Sequence, residues 1–223
     1  MSSSNKKGPN SGFSLLELLI AMGITITLMT AASTLLANAI RVRSRENQKS
    51  DALADAQRAL NIMSREIANA GFNLNNNGIV TADSGQHALR IRSNLNGYTN
   101  EATATEVIDE GEDIRYFVNQ ADNTKYLVRH DEYGNGSTVL ANRIDNMTIH
   151  YYDQKVTYTV PQGGDDIDCP TTEVSKDKAK YIVIAVAVTL DEVGTPGSPG
   201  YHKQYSVVLC SDVTLRNSGL WSY

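Results

Sequence analysis

The sequence predicts an α+β fold, one long N-terminal helix packed on an antiparallel β-sheet, and three observations carry that expectation. Residues 13–40 form an apolar run whose only charge is Glu17. Leu53, Ala56, Leu60, Met63, Ile67 and Ala70 then recur at alternating spacings of three and four, which is one stripe of a helix. Beyond Gly71 the period of the apolar residues changes to two, as in half-buried strands.

The apolar run is 28 residues long, enough to cross a hydrocarbon core of about 30 Å as a helix. A secretory signal has a shorter stretch, roughly 7 to 15 residues, with its small-residue cleavage site at the far end. Here the small residue, Gly12, precedes the run and closes a polar leader, MSSSNKKGPNSG, that carries Lys6 and Lys7. An ionised carboxylate within a lipid-spanning helix costs on the order of 3 kcal/mol near the bilayer centre, so Glu17 calls for a cationic partner. Cleavage between Gly12 and Phe13 creates an ammonium four residues away, where a low dielectric strengthens the attraction.

The segment GFSLLELLIAM behind a short Lys-containing leader resembles the cleavage and methylation signal of type IV prepilins and type II secretion pseudopilins. The resemblance implies that a prepilin peptidase and methyltransferase cuts after Gly12 and N-methylates Phe13. Glu17 is then the acid that pairs with the N-terminus of a neighbouring subunit, and Lys6 and Lys7 hold the leader on the cytoplasmic face. Counting cations alone places the N-terminus outside, because Arg41, Arg43, Arg45 and Lys49 follow the span. The resemblance implies the reverse, a single-pass inner-membrane protein with a periplasmic globular domain.

The helix continues without Pro to Ala70, with Gly71 as its C-cap. Counted from Phe13 it has 58 residues and a length of about 87 Å. Its stripe lasts under three heptads and alternates with small Ala, which suits packing on a sheet better than a coiled coil. The resemblance implies the same arrangement, a pilin-like fold. The stretch DAQRALNIMSREIANAGF, with its Ala70, Gly71, Phe72 step, also resembles the helix end of PilW-type minor pilins. Many major pilins carry a helix-breaking Pro roughly 20 residues after the cleavage site. In this chain Gly23 is the only weak helix former of that region, which speaks against a major-pilin role. Four segments follow: leader 1–12, membrane and filament-core helix 13–40, amphipathic helix 41–71, and β-rich domain 72–223.

Candidate strands are 88–92, 114–118, 126–130, 144–152, 155–160, 181–190 and 204–210. In YIVIAVAVTL the larger Ile182, Ile184, Val186, Val188 and Leu190 share one face, which is expected to meet the helix. The stretches NNNG, YGNGS, QGGDD and GTPGSPG read as turns and loops.

The chain of 223 residues has 20 Lys+Arg, 25 Asp+Glu and 41% hydrophobic residues, an ordinary composition for one cored domain with an appendage. With no cationic cluster beyond the interrupted Arg41, Arg43, Arg45, no nucleic-acid partner is expected. Cys169 and Cys210 are too few for a thiolate zinc site. In an oxidising compartment they form a disulfide across 41 positions, stabilising the fold by up to about 4 kcal/mol on chain-entropy grounds. Two independent buried thiols are the alternative. His87, His130, His150 and His202 lack metal-ligand spacing, and Asp165, Asp166 and Asp168 read as a solvated acidic loop rather than a calcium site. No nucleophile-and-base pattern, phosphate loop or dinucleotide fingerprint is present, and Ser218, Trp221 and Tyr223 have no nucleophilic context, so no catalytic residue, metal or cofactor is expected.

The reading is a minor pilin of a type IV pilus, a subunit that takes part in pilus assembly or initiation. Its expected partners are the peptidase, other major and minor pilins, the inner-membrane assembly platform, and membrane lipid before assembly. A J-type minor pseudopilin of a type II secretion system is the nearest alternative. An uncleaved, signal-anchored periplasmic binding domain is the second.

Overall fold

The computed structural model describes residues 13–97, 99–100, 105–121, 124–161, 166–190, 192–197 and 200–218. Its architecture is α+β and pilin-like, a long N-terminal helix packed on antiparallel sheets. By contacts the chain divides into two compact units, Met1–Glu46 and Asn47–Tyr223.

Helix α1, Leu15–Ala68, begins at Ser14, whose carbonyl accepts the amides of Glu17 and Leu18 at 3.0 and 3.1 Å. Its early part is apolar all round and uncovered, with an 18-residue window of mean hydropathy 2.0 and none of it buried. It is long and apolar enough to cross a membrane. The hydroxyls of Thr25, Thr27, Thr30 and Thr34 each donate to a carbonyl three or four residues earlier. Those bonds satisfy the only threonines of an otherwise greasy segment without any outside partner.

Beyond residue 46 the helix has one buried stripe, Ala52, Ala56, Ala59, Leu60, Met63 and Ile67. The expected stripe is displaced slightly at its start, because Leu53 is half-exposed and the smaller Ala52 and Ala59 take the inner positions. Three alanines there bring the helix axis close to the strands. The helix ends at Ala68, two residues before the expected Ala70, and the amides of Asn69 and Ala70 close tighter turns onto Glu66 and Ile67. Gly71 follows at φ +76°, a left-handed conformation that suits a helix terminus. Its amide donates to the carbonyl of Arg92 at 2.9 Å, while the Arg92 amide donates to Gly78 at 2.7 Å. A Cβ at Gly78 would lie 2.1 Å from the Gly71 nitrogen, so only glycine permits this crossing of chain segments.

Strands β1 (Ala88–Arg92), β2 (Thr99–Asn100), β3 (Thr105–Glu106), β4 (Asp113–Ala121), β5 (Thr124–Asp131), β6 (Gly136–Asn142), β7 (Ile144–Tyr152), β8 (Tyr181–Leu190) and β9 (Tyr205–Thr214) follow in order. They form a four-stranded sheet β1-β4-β5-β6, a small hairpin β2-β3 and a three-stranded sheet β7-β8-β9. Every pairing is antiparallel. One apolar core joins the helix stripe to Leu89, Ile91, Ile114 and Tyr116 of the first sheet and to Met147, Ile149, Ile182, Ile184, Val186 and Val188 of the second. The large face of β8 therefore packs with the helix, as its alternation predicts.

Three features depart from expectation, and the first is the short hairpin β2-β3, which lies outside the candidate strands. Residues 155–160 are not a strand and make only the isolated bridge of Thr159 with Asp168. Val156 and Tyr158 pack instead over the outer face of the second sheet, on a smaller cluster of Tyr152, Tyr181, Val183, Ala185 and Val208. Their alternation reflects that face, whereas a strand needs a sheet edge to pair with. Conversely, β6 escapes the sequence pattern because its first four residues are exposed and only Leu140 and Ala141 point inward. A register irregularity at Leu127/Val128 of its partner further breaks the alternation.

Met63→Ala removes a fully buried side chain between the helix and both sheets. It is expected to lower unfolding stability by about 2 to 5 kcal/mol, measured by denaturant titration, whereas Arg58→Ala on the exposed face is expected to change it by under about 0.5 kcal/mol.

Candidate functional site

The features that carry chemistry lie at the start of α1. Phe13 is 84% exposed, and Glu17 sits in the first helical turn, where a carboxylate is favoured by the unpaired amides of the helix N-terminus. Leu15, Leu16, Leu18 and Leu19 surround it, all exposed. One helical turn separates Phe13 from Glu17, so a charge created at residue 13 and the Glu17 carboxylate occupy the same end of the helix. Gly12, Lys6 and Lys7 lie outside the described residues.

The other sequence-expected groups do not converge. Cys169 and Cys210 are unbonded in this structure, both half-buried and both against the one outer cluster that holds Tyr152 and Tyr158. Burial pushes the Cys169 thiol pKa up, and the nearby Asp166 and Glu173 add to the shift. His87 meets the Met147 carbonyl at 3.0 Å and His130 the Ser137 hydroxyl at 2.9 Å. His150 lies between Glu173 at 2.6 Å and Asp166 at 3.4 Å, on opposite nitrogens of the ring. Asp166 of the acidic loop thus faces an imidazole, and the Asp168 backbone pairs with Thr159. Asp165, Trp221 and Tyr223 fall outside the described residues, and Ser218 donates to the Leu215 carbonyl. Among the described residues no group of three or more His, Cys, Asp or Glu is arranged to hold a metal ion. A cavity of about 740 Å³ between loop 81–86 and residues 173–177 is floored by Ile149 and Tyr151, and Lys176 reaches across it to the carbonyls of Thr81 and Ser84.

Sequence reasoning missed the polar ties that hold the helix to the first sheet. Glu66 accepts a hydrogen bond from the Tyr116 hydroxyl and another from Arg129 Nε at 3.0 Å. Burial, reinforced by Glu66, pushes the Tyr116 phenol well above its ordinary range and keeps it a donor. Asp113, 5% exposed, accepts from Arg90 at 2.7 and 2.8 Å and from Arg92 at 2.7 Å, while Arg90 also reaches Asp83 at 2.6 Å. Burial opposes ionisation of Asp113, but the bonds from Arg90 and Arg92 outweigh it and hold its pKa below the usual carboxylate value. The signal available in the sequence was Arg90 and Arg92 alternating in a strand opposite an acid; it fixes no partner without the register of β1 on β4.

The exposed apolar helix with its single early acid fits membrane anchoring of a chain that carries a β-rich domain. Residues 8–33 match the family described as the prokaryotic N-terminal methylation motif. No curated protein and no solved structure matches the chain. The motif supports a type IV prepilin-like protein, pilin or pseudopilin, and it points to a structural subunit rather than an enzyme. It implies processing by a prepilin peptidase and association with other pilins, and the apolar helix fits membrane anchoring.

Asp113→Asn is expected to lower stability at neutral pH by about 3 kcal/mol, because it leaves Arg90 half-buried with one acid fewer. The depressed pKa makes this contribution complete above about pH 4 and lost as pH falls through the folded-state value. The gap between wild type and variant in chemical denaturation therefore closes on acidification.

Proposed function

We propose that the chain is a minor pilin of a type IV pilus, PilW-like, which is cut between Gly12 and Phe13, N-methylated at Phe13, and passed from the inner membrane into a filament. The observation that carries the reading is the methylation motif at residues 8–33, which runs into a fully uncovered apolar helix beginning at Leu15 with one early acid. Transfer of that helix from lipid to a bundle of like helices leaves its apolar surface covered, with packing rather than water as the driving term. Glu17 pairs with the ammonium of a neighbouring Phe13 in a low dielectric and sets the axial position of the incoming subunit. The orientation follows from the cleavage reading: leader in the cytoplasm with Lys6 and Lys7, globular domain in the periplasm, and an assembly platform that receives the processed subunit. A continuous α1 through Gly23, without Pro, favours a subunit added in few copies over one that forms the bulk of the shaft. In an oxidising periplasm Cys169 and Cys210, which flank one cluster, join as a disulfide.

Intact mass and N-terminal sequence from membranes of cells with and without a prepilin peptidase test the processing. The expected product begins at methylated Phe13 only when the peptidase is present, and an uncut Met1 in both strains refutes the assembly mechanism in favour of a plain anchor. The same spectrum is expected about 2 Da below its reduced form if the thiols are joined, and equal masses exclude the bridge. Glu17→Ala is expected to remain processed and membrane-bound but to enter sheared filaments poorly; normal incorporation refutes the pairing. A secretion defect with filaments intact would assign the chain to a type II secretion pseudopilus instead.

A further inference from the structure

Three arginines follow the apolar span on the side that the prepilin reading exports, where cations oppose translocation. On α1 the side chains of Arg41 and Arg43 are exposed and that of Arg45 is half-exposed. At about 100° per residue Arg41 and Arg45 lie about 40° apart, and Arg43 lies about 160° from both. The cations therefore lie on two opposite sides of the helix rather than along one face. A stripe would match one acidic neighbour, whereas cations on opposite sides match a layer that surrounds the helix.

The dimensions agree with such a layer. The three residues rise over about 6 Å along the axis. The interfacial zone on each side of a bilayer is about 5 to 7 Å thick, outside a hydrocarbon core of about 30 Å. Glu17 and Arg41, the charges that bound the apolar run, are about 36 Å apart along the helix, so each reaches an interface when the span is in lipid. Arginine stems cover apolar surface while the guanidinium charge turns to phosphate.

We propose that Arg41, Arg43 and Arg45 form a collar that binds the phosphates of anionic phospholipid around the helix and fixes its depth before extraction into the filament. The proposal rests on the reading that residues 13–40 span the membrane, and it adds a lipid partner for the subunit in waiting. The cost of exporting three cations is offset by headgroup contacts on the far side. Extraction then means exchanging those phosphates for other acids.

The test uses the full chain in nanodiscs of phosphatidylcholine alone and of phosphatidylcholine mixed with phosphatidylglycerol, with retained lipid counted by native mass spectrometry. Wild type is expected to keep phosphatidylglycerol in preference, and that preference is expected to fall by about fivefold for each arginine replaced on the way to R41Q/R43Q/R45Q. The lysine counterpart, R41K/R43K/R45K, is expected to keep most of it, and its loss there overturns a charge-based collar even if the glutamine variant inserts poorly. An unchanged preference in the glutamine variant overturns the proposal. Displacement by inorganic phosphate, beyond that caused by chloride at equal ionic strength, would make this a general anion site and likewise overturn it. A lipid-free dimer would assign the arginines to a second copy of the chain. A chain that enters neither disc refutes the membrane reading and the collar together; one that enters both without preference refutes the collar alone.

Discussion

The hydrogen-bonded ladder of α1 is the constraint from which the other features follow. A helix is one of few structures that satisfies its own backbone in a medium without water, and the same helix also supplies the stripe on which two sheets pack. Residues 18–40 satisfy their backbone within the helix, so they can be apolar and carry back-bonded threonines. Residues 47–68 need one inward and one outward face, so the pattern narrows to a stripe with charged groups beside it. The change of pattern along one uninterrupted helix is a change of surroundings written into side chains.

Within the β-rich unit, apolar burial and polar ties divide the labour. The stripe of Ala, Leu, Met and Ile is close-packed, but apolar burial is non-directional and by itself specifies the axial position of the helix less sharply than a directed bond does. Glu66 on Tyr116 and Arg129 removes that freedom at the far end of the helix, since the acid has two fixed donors in adjacent strands. The Gly71, Gly78 and Arg92 crossing fixes the chain just past the helix end. Arg90 and Asp113 do the same for β1 on β4, at a site where removing either charge leaves the other desolvated. Apolar matter thus supplies most of the stability, and a few ions supply the register.

Much of this was legible in the sequence, and the limits have physical causes. The helix, the bounds of β1, β7 and β8, and the face of β8 that meets the helix follow from periodicity, because each is buried on at least one side. β6 was not, because an edge strand with one exposed half has little to alternate against. Residues 155–160 misled in the opposite sense: Val156 and Tyr158 alternate because they cover a sheet, not because they join one. At the site, the motif around Phe13 and Glu17 is local and therefore readable, whereas the partners of Glu66 and Asp113 depend on strand register that no local pattern encodes.

The threonines of the early helix have one further consequence. With hydroxyls at positions 25, 27, 30 and 34 already donating to their own carbonyls, the middle of the segment offers neighbours no free threonine donor. The middle of the apolar run therefore spends its threonine donors on its own backbone, and the charges that flank it, Glu17 and Arg41, lie toward its two ends.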